Sequence, residues 1–255
     1  ACLVGSEMCI RDRWGNALKG YFNTPTGRIM SKHRSVRSSV KSAERYRKSY
    51  LSLSDLADLG TVMGNVYHTK DDMIDCVNAF YEGMVTRSEE MKLHPNYRTG
   101  KNYAYLGLAP QFLIFDEYVA FLEMLTTKES TALLSQLKKI VMLGRQAGYF
   151  LIVACQRPDA KYFGDGIRDN FNFRVGLGRM SELGYGMLFG SDVKKQFFQK
   201  RIKGRGYCDV GTSVISEFYT PLVPKGYDFL GTIGKLAHIR QDGQVACGAK
   251  ATGTD

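Results

Sequence analysis

Two short apolar runs, Gln111–Phe115 (QFLIF) and Tyr149–Cys155 (YFLIVAC), constrain the fold of this chain more than any other feature. Neither alternates polar with apolar residues, so each reads as a strand buried on both faces. Between them, residues 117–147 read as helical, with an apolar face of Leu133, Leu134, Leu137, Ile140, Val141 and Leu143 ahead of Gly148. Thr127 is the plausible cap inside that stretch. A strand, a helix and a strand in this interval form a crossover unit, and its right-handed form lays the two strands parallel. No apolar run in the chain approaches the length that spans a bilayer.

The flanking sequence extends the same pattern. Thr69 with Asp72 resembles a capping box, and Ile74, Val77, Phe80, Tyr81, Met84 and Val85 recur at helical spacing through about Lys92. Residues 93–110 carry Pro, Gly and Asn and read as a loop. Further on, 173–177 reads as a strand, 181–188 as a short helix and 192–201 as a basic helix. Short strands near 206–210 and 214–219 lead to a Gly-rich tail from about 231. Apolar strands separated by helices indicate an α/β domain with a mostly parallel sheet.

The formal net charge of +10 is unevenly placed: nine Lys/Arg fall in residues 14–50 beside a single acid, Glu44. Residues 31–50 are rich in Ser, Arg and Lys, and residues 1–13 show neither a strand or helix period nor the apolar stretch of a signal peptide. Residues 1–50 are therefore expected to be a non-native or disordered basic segment that makes little contact with the core; a basic nucleic-acid arm is the other reading. The domain proper runs over 51–230, with 231–255 as a tail. The six cysteines include no CxxC pair and the four histidines are dispersed, which argues against a zinc site and a disulfide scaffold and fits a reducing cytoplasm.

The chemistry concentrates at the ends of the two apolar strands. QFLIF is followed at once by Asp116 and Glu117, at the carboxyl end of a strand where parallel α/β sheets bind ligands. In nucleotide hydrolases the first such carboxylate helps hold magnesium on the phosphates and the second orients the attacking water. Acids in a first helical turn are also common for the helix dipole alone. The second strand leads into Gln156-Arg157-Pro158, and a right-handed crossover puts Asp116, Glu117 and Gln156 at one sheet edge, where an amide can bond a γ-phosphate or a water. A structural Gln capping a loop is the alternative there.

The segments DLADLGTVMGNVYHTKDD, FLIFDEYVAF, LIVACQRPDAKYFGDGIRDNFNFRVGLG and KGRGYCDVG together resemble the motor domain of the FtsK/SpoIIIE family, over about residues 54–230. The branch they resemble is encoded by integrative and conjugative elements of Gram-positive bacteria. The resemblance implies a RecA-like P-loop NTPase core, a hexameric ring around double-stranded DNA, ATP with Mg as cofactors, and ATP-driven translocation serving conjugative transfer. It implies Asp116 as the magnesium-associated carboxylate, Glu117 as the catalytic one, Gln156 as the polar sensor with Arg157 in the same motif, and Arg174 and Arg179 near the subunit interface. It also implies a cytoplasmic domain in a protein anchored through an N-terminal region. No GxxxxGK[ST] motif occurs in the chain: Gly100-Lys101 is followed by Asn and Gly234-Lys235 by Leu. The expectation is a core lacking its first strand, P-loop and helix.

Lys194, Lys195, Lys200, Arg201, Lys203 and Arg205 crowd twelve positions, a density suited to phosphates read without regard to sequence. A solvated helix face over buried Phe197, Phe198 and Ile202 accounts for the same charges. Tyr97, Arg98, Lys101, Tyr103 and Tyr105 interleave aromatics with bases in the loop before QFLIF, which an exposed loop explains equally. Two alternatives to the duplex translocase stay open: a coupling-protein ATPase handling single-stranded DNA and a relaxase, and a non-hydrolysing fragment that binds DNA.

Overall fold

Residues 111–115 and 149–155 do pair in parallel, as the centre of an eight-stranded sheet, in a computed structural model of the chain. The structure describes residues 2–5, 48–53, 57–58, 60, 65–193, 196–197, 202, 204–212, 214–220 and 224–234. The strands are β1 (Cys2–Gly5), β2 (Lys48–Leu51), β3 (Val66–Tyr67), β4 (Gln111–Phe115), β5 (Tyr149–Cys155), β6 (Arg174–Leu177), β7 (Arg205–Asp209) and β8 (Ile215–Tyr219). Their spatial order is β3-β2-β4-β5-β1-β6-β7-β8. All pairings from β3 to β6 are parallel, and β7 and β8 continue antiparallel at one edge.

Two expectations are corrected here. Residues 2–5 were expected to stand apart from the core, in a sheet lacking its first strand. They form β1, paired in parallel to β5 on one side and β6 on the other. Residues 48–50 likewise belong to β2, beside β4. Both segments are only four residues long, too short for a period to show, and only long-range pairing selects them. The rest of 1–50 lies outside the described residues.

Burial on both sheet faces explains the unbroken apolar runs. Leu113, Phe115, Leu151, Val153 and Cys155 join one core cluster, while Ile114, Ile152 and Ala154 join the other with Val175, Leu177, Cys208 and Phe218. The helices are α1 (Lys70–Leu93), α2 (Tyr118–Glu123), α3 (Thr127–Ala147), α4 (Ala160–Arg168) and α5 (Glu182–Phe189). Met73, Val77, Phe80 and Met84 of α1 and Leu133, Leu137 and Ile140 of α3 bury into the first cluster. Each such fully buried side chain contributes about 1.5–3 kcal/mol. Phe229, Leu230 and Ile233, on a helical stretch covering 229–234, pack on the second, so the tail expected from 231 begins as helix. The remainder of the tail lies outside the described residues.

The stretch expected as one helix over 117–147 is two, broken at 124–126. Its cap is Thr126, one residue before the expected Thr127: the Thr126 hydroxyl accepts from Glu129 N–H, and the Glu129 carboxylate accepts from Thr126 N–H at 2.8 Å. Lys70, at the start of α1, donates to Glu129 Oε1 at 2.9 Å and ties the two helix starts together. The Lys70 ammonium, then the Thr126 donors, hold the Glu129 carboxyl down to about 2. A carboxyl depressed on folding stabilises above its unfolded pKa, about 4.3, and loses that contribution as pH falls through its folded value. Acid titration of unfolding should therefore show a loss of stability between about pH 4.3 and 2 that Glu129→Gln abolishes; an unchanged acid limb in that variant would show the cap to be inert.

The expected helix over 192–201 is absent where it is described, since Val193, Gln196 and Phe197 are non-helical. Phe197, expected to be buried, is half-buried and stacks on Tyr185 with centroids 4.2 Å apart, and Ile202 is exposed rather than buried. Phe198 lies outside the described residues.

Candidate nucleotide site at the strand tips

Parallel strands place all their carboxyl ends on one sheet edge, and this sheet does so for β2, β4, β5, β1 and β6. Asp116 and Glu117 follow β4, and Gln156 and Arg157 follow β5, its hydrogen-bonded neighbour. The register pairs Phe115 with Val153, so Gln156 stands further out along the strand direction than Asp116. The crossover read from the sequence thus has the expected geometry: adjacent strands, parallel, polar residues at one edge.

Asp116 is 2% exposed, an expensive position for a carboxylate without partners. Its backbone N–H donates to Leu51 O at 2.8 Å, and its Oδ2 accepts from the Ser52 hydroxyl at 3.1 Å. Ser52, itself 1% exposed, follows the last residue of β2 and is held from the other side by its own N–H donating to Tyr67 O at 3.1 Å. The aspartate is therefore oriented by the neighbouring strand tip. Sequence reading missed Ser52, because one serine after a short strand carries no periodic or motif signal.

Glu117 adopts φ 55° and ψ 44°, and it is the one non-glycine with positive φ among the described residues. That left-handed conformation costs about 1–2 kcal/mol. It turns the chain sharply from β4 into α2 and leaves Glu117 half-buried beside the buried aspartate. The turn is anchored by Tyr118, whose ring lies 5.5 Å from Phe115 and whose hydroxyl donates to Tyr162 O at 3.1 Å. Tyr162 donates in turn to Glu123 at 2.6 Å, linking α2 to α4, and this bond is the leading cause holding the Glu123 carboxyl below its ordinary value.

Gln156 and Arg157 are exposed, while Pro158 beyond them is buried. The two arginines near β6 separate cleanly. Arg174 sits at the amino end of the strand and its guanidinium is spent on backbone carbonyls: Phe171 O at 2.8 Å, Leu188 O at 3.1 Å and Arg168 O at 3.2 Å. Arg179 lies past the carboxyl end and is exposed, on the edge that carries Asp116 and Gln156. Of the basic cluster, Lys194, Lys195, Lys200, Arg201 and Lys203 lie outside the described residues. Arg205 opens β7 with its guanidinium 4.8 Å over the Tyr219 ring, and its carbonyl accepts from Gly178 N–H at 2.8 Å, which places it at the same edge.

The donor set suits a hard cation. A buried carboxylate beside a hydroxyl offers the oxygen ligands that magnesium takes, and magnesium on a nucleotide needs only one or two protein carboxylates because phosphates and water supply the rest. The absence of a cluster of three or more His, Cys, Asp or Glu among the described residues is compatible with that mode of binding.

No family model matches the chain. It is 56% identical over 194 residues to the FtsK domain-containing protein YdcQ of Bacillus subtilis (strain 168), an alignment covering 76% of this chain and 40% of that protein. Among solved structures it is similar to the conjugation coupling protein TcpA of pCW3, in a monomer form with ATPγS, with a TM-score of 0.61 at 15% identity over 92% of this chain and 64% of that one. It is also similar to ATPases 2 and 3 of EssC from Geobacillus thermodenitrificans, with a TM-score of 0.62 at 11% identity over 96% of this chain and 44% of that one. The chain thus spans less than two thirds of each of these proteins. At those identities the structural likeness establishes the fold alone, an α/β domain built on a mostly parallel sheet.

Proposed function

The chain belongs to the FtsK-domain family, and from that premise we propose that it is part of the motor domain of an ATP-driven translocase that moves double-stranded DNA as a ring-shaped homo-oligomer, in the service of conjugative transfer. The observation that carries the reading is the convergence of Asp116, Glu117 and Gln156 at the tips of adjacent parallel strands, with Asp116 buried and fixed by Ser52.

In this reading each side chain has one task. Asp116 and the Ser52 hydroxyl would hold a magnesium ion bound to the nucleotide, which would supply charge neutralisation at the phosphates. Glu117, at the sharp turn with φ 55°, accepts a hydrogen bond from the attacking water and orients it. Gln156 senses the γ-phosphate from β5, and Arg157 stands beside it. Arg179 is the better candidate for reaching a neighbouring subunit's phosphate, because Arg174 is committed to three carbonyls of its own chain. The basic residues of 194–205 engage DNA phosphates, and Arg205 brings the described end of that cluster to the nucleotide edge.

A triphosphate needs backbone amides and a lysine to cradle it, and no GxxxxGK[ST] occurs in these 255 residues. This chain alone should hydrolyse ATP negligibly, and a longer form carrying a P-loop should gain hydrolysis stimulated by duplex DNA. The check is an ATPase assay of both forms with and without duplex. Hydrolysis by the longer form that ignores DNA, or robust hydrolysis by the present chain, would overturn the assignment.

A further inference from the structure

The sheet has a second edge, opposite the strand tips, where exposed bases and tyrosines gather without nearby acids in sequence. The loop from residue 94 to 110 and the carboxyl end of α3 meet there, just before β4 and β5 begin. No Asp or Glu occurs from Met91 to Phe115 or from Ser130 to Pro158. Glu89 and Glu90 near the end of α1 are the closest acids in sequence on the approach to this edge. Arg98, Lys101 and Arg145 are exposed, and none of the three is ion-paired among the described residues. Between them Tyr105 is 44% exposed, with the Lys101 ammonium 5.7 Å and the Arg98 guanidinium 6.0 Å from its ring centroid, and Tyr97 is exposed close by in sequence.

The loop is held in shape. Tyr103 N–H donates to Gln146 O at 3.0 Å, the Gln146 side chain donates to Lys101 O, and buried Tyr103 packs edge-on against Phe150 at 5.9 Å. Turns at Arg98–Lys101 and Asn102–Tyr105 are closed by backbone hydrogen bonds of 3.1 and 3.0 Å. Arg87 of α1 ties the assembly from below, donating to Ala109 O at 2.8 Å and Ala147 O at 3.3 Å. Between the loop and α3 lies an open cleft of about 530 Å³ lined by Lys101, Asn102, Met142, Arg145 and Gln146.

We propose that this edge binds single-stranded DNA: Arg98, Lys101 and Arg145 take the phosphates, and the exposed faces of Tyr97 and Tyr105 stack on bases. The assignment rests on the DNA-motor reading and adds to it a strand-specific surface remote from the nucleotide edge. Cations alone would suit a duplex equally. Exposed aromatic faces gain only from bases that are free to stack, which a duplex keeps inside its own stack and a single strand presents. A preformed loop adds affinity because little ordering entropy is lost on contact.

The test uses the chain as it stands, with a fluorescent oligothymidylate of about 16 nucleotides and a duplex of mixed sequence, followed by anisotropy across a salt series. A triple variant, Arg98→Glu with Lys101→Glu and Arg145→Glu, should weaken single-strand binding by more than about tenfold and flatten the log–log salt slope by about 2. Tyr97→Ala with Tyr105→Ala should weaken it by about tenfold with the salt slope unchanged. Duplex affinity should stay within about twofold in both, and circular dichroism should match the parent. An oligonucleotide carrying 5-iodouracil should photo-crosslink to Tyr97 or Tyr105. Single-strand binding untouched in both variants, with crosslinks elsewhere, overturns the proposal while leaving the motor reading intact. An equal loss for duplex overturns the single-strand assignment, as does displacement of the oligonucleotide by polyglutamate with no crosslink at either tyrosine. A chain that binds neither nucleic acid overturns the motor reading as well.

Discussion

Glu117→Gln, placed in a form of the protein that carries a P-loop, should lower ATP turnover by about 10³-fold while leaving ATP affinity within about threefold. The amide keeps the size of the side chain and nearly the same turn at φ 55°, so the bend from β4 into α2 survives. What is lost is the negative charge that polarises and orients a water, an effect confined to the transition state and therefore visible in turnover rather than in binding. Asp116→Asn is the informative contrast. Asp116 is buried and bonded to Ser52, so neutralising it should weaken the magnesium dependence of nucleotide binding itself. The measurement is a pair of titrations, ATP binding by fluorescence and steady-state hydrolysis, on both variants. Equal loss of binding and turnover in Glu117→Gln would remove the distinction between the two carboxylates.

Gly148→Ala should be a strongly destabilising single-methyl change, at about 3 kcal/mol. Gly148 ends α3 at φ 79°, ψ 28°, donating its N–H to Gly144 O, and a Cβ there would meet the Tyr103 ring at 2.5 Å. Backbone strain accounts for about 1–2 kcal/mol and the collision for the rest. Gly100→Ala is the control: its φ is +81°, yet nothing lies within 4 Å of its added methyl. Chemical denaturation should show the Gly148 variant losing at least about twice as much stability as the Gly100 variant, with its melting temperature down by about 10 °C. Similar losses in the two would mean that Tyr103 does not pin the loop against the helix end.

Local pattern carried most of the fold because the determinants of β4, α3 and β5 are contiguous. QFLIF and YFLIVAC are unbroken since both sheet faces are covered, and α1 begins at Thr69 as its capping pair requires, with Asp72 N–H donating to Thr69 Oγ1 at 3.3 Å. The misplaced cap, Thr127 for Thr126, turned on two adjacent threonines, and only the reciprocal bonds to Glu129 separate them. The carboxylates and Gln156 were legible because strand tips in a parallel crossover must share an edge. Ser52 was not, since its contact with Asp116 spans 64 positions of sequence. Nor was the division between Arg174 and Arg179, which depends on which end of a four-residue strand each occupies. CLVG read as part of a segment without structure, because nothing local marks four residues as a strand when the partners they require begin at residue 149.

That last strand also has a consequence for how the molecule assembles itself. The pairing of β3, β2, β4 and β5 and the pairing of β6, β7 and β8 are joined into one sheet only through β1. Until residues 2–5 dock, β5 and β6 each present an open hydrogen-bonding edge, the kind of edge that recruits other chains. Contacts so distant in sequence form late, since the loop must close before they reward it. The strand that comes earliest among those described is thus among the last to find its place, and the half-sheets it will join must wait for it with their most adhesive backbones uncovered.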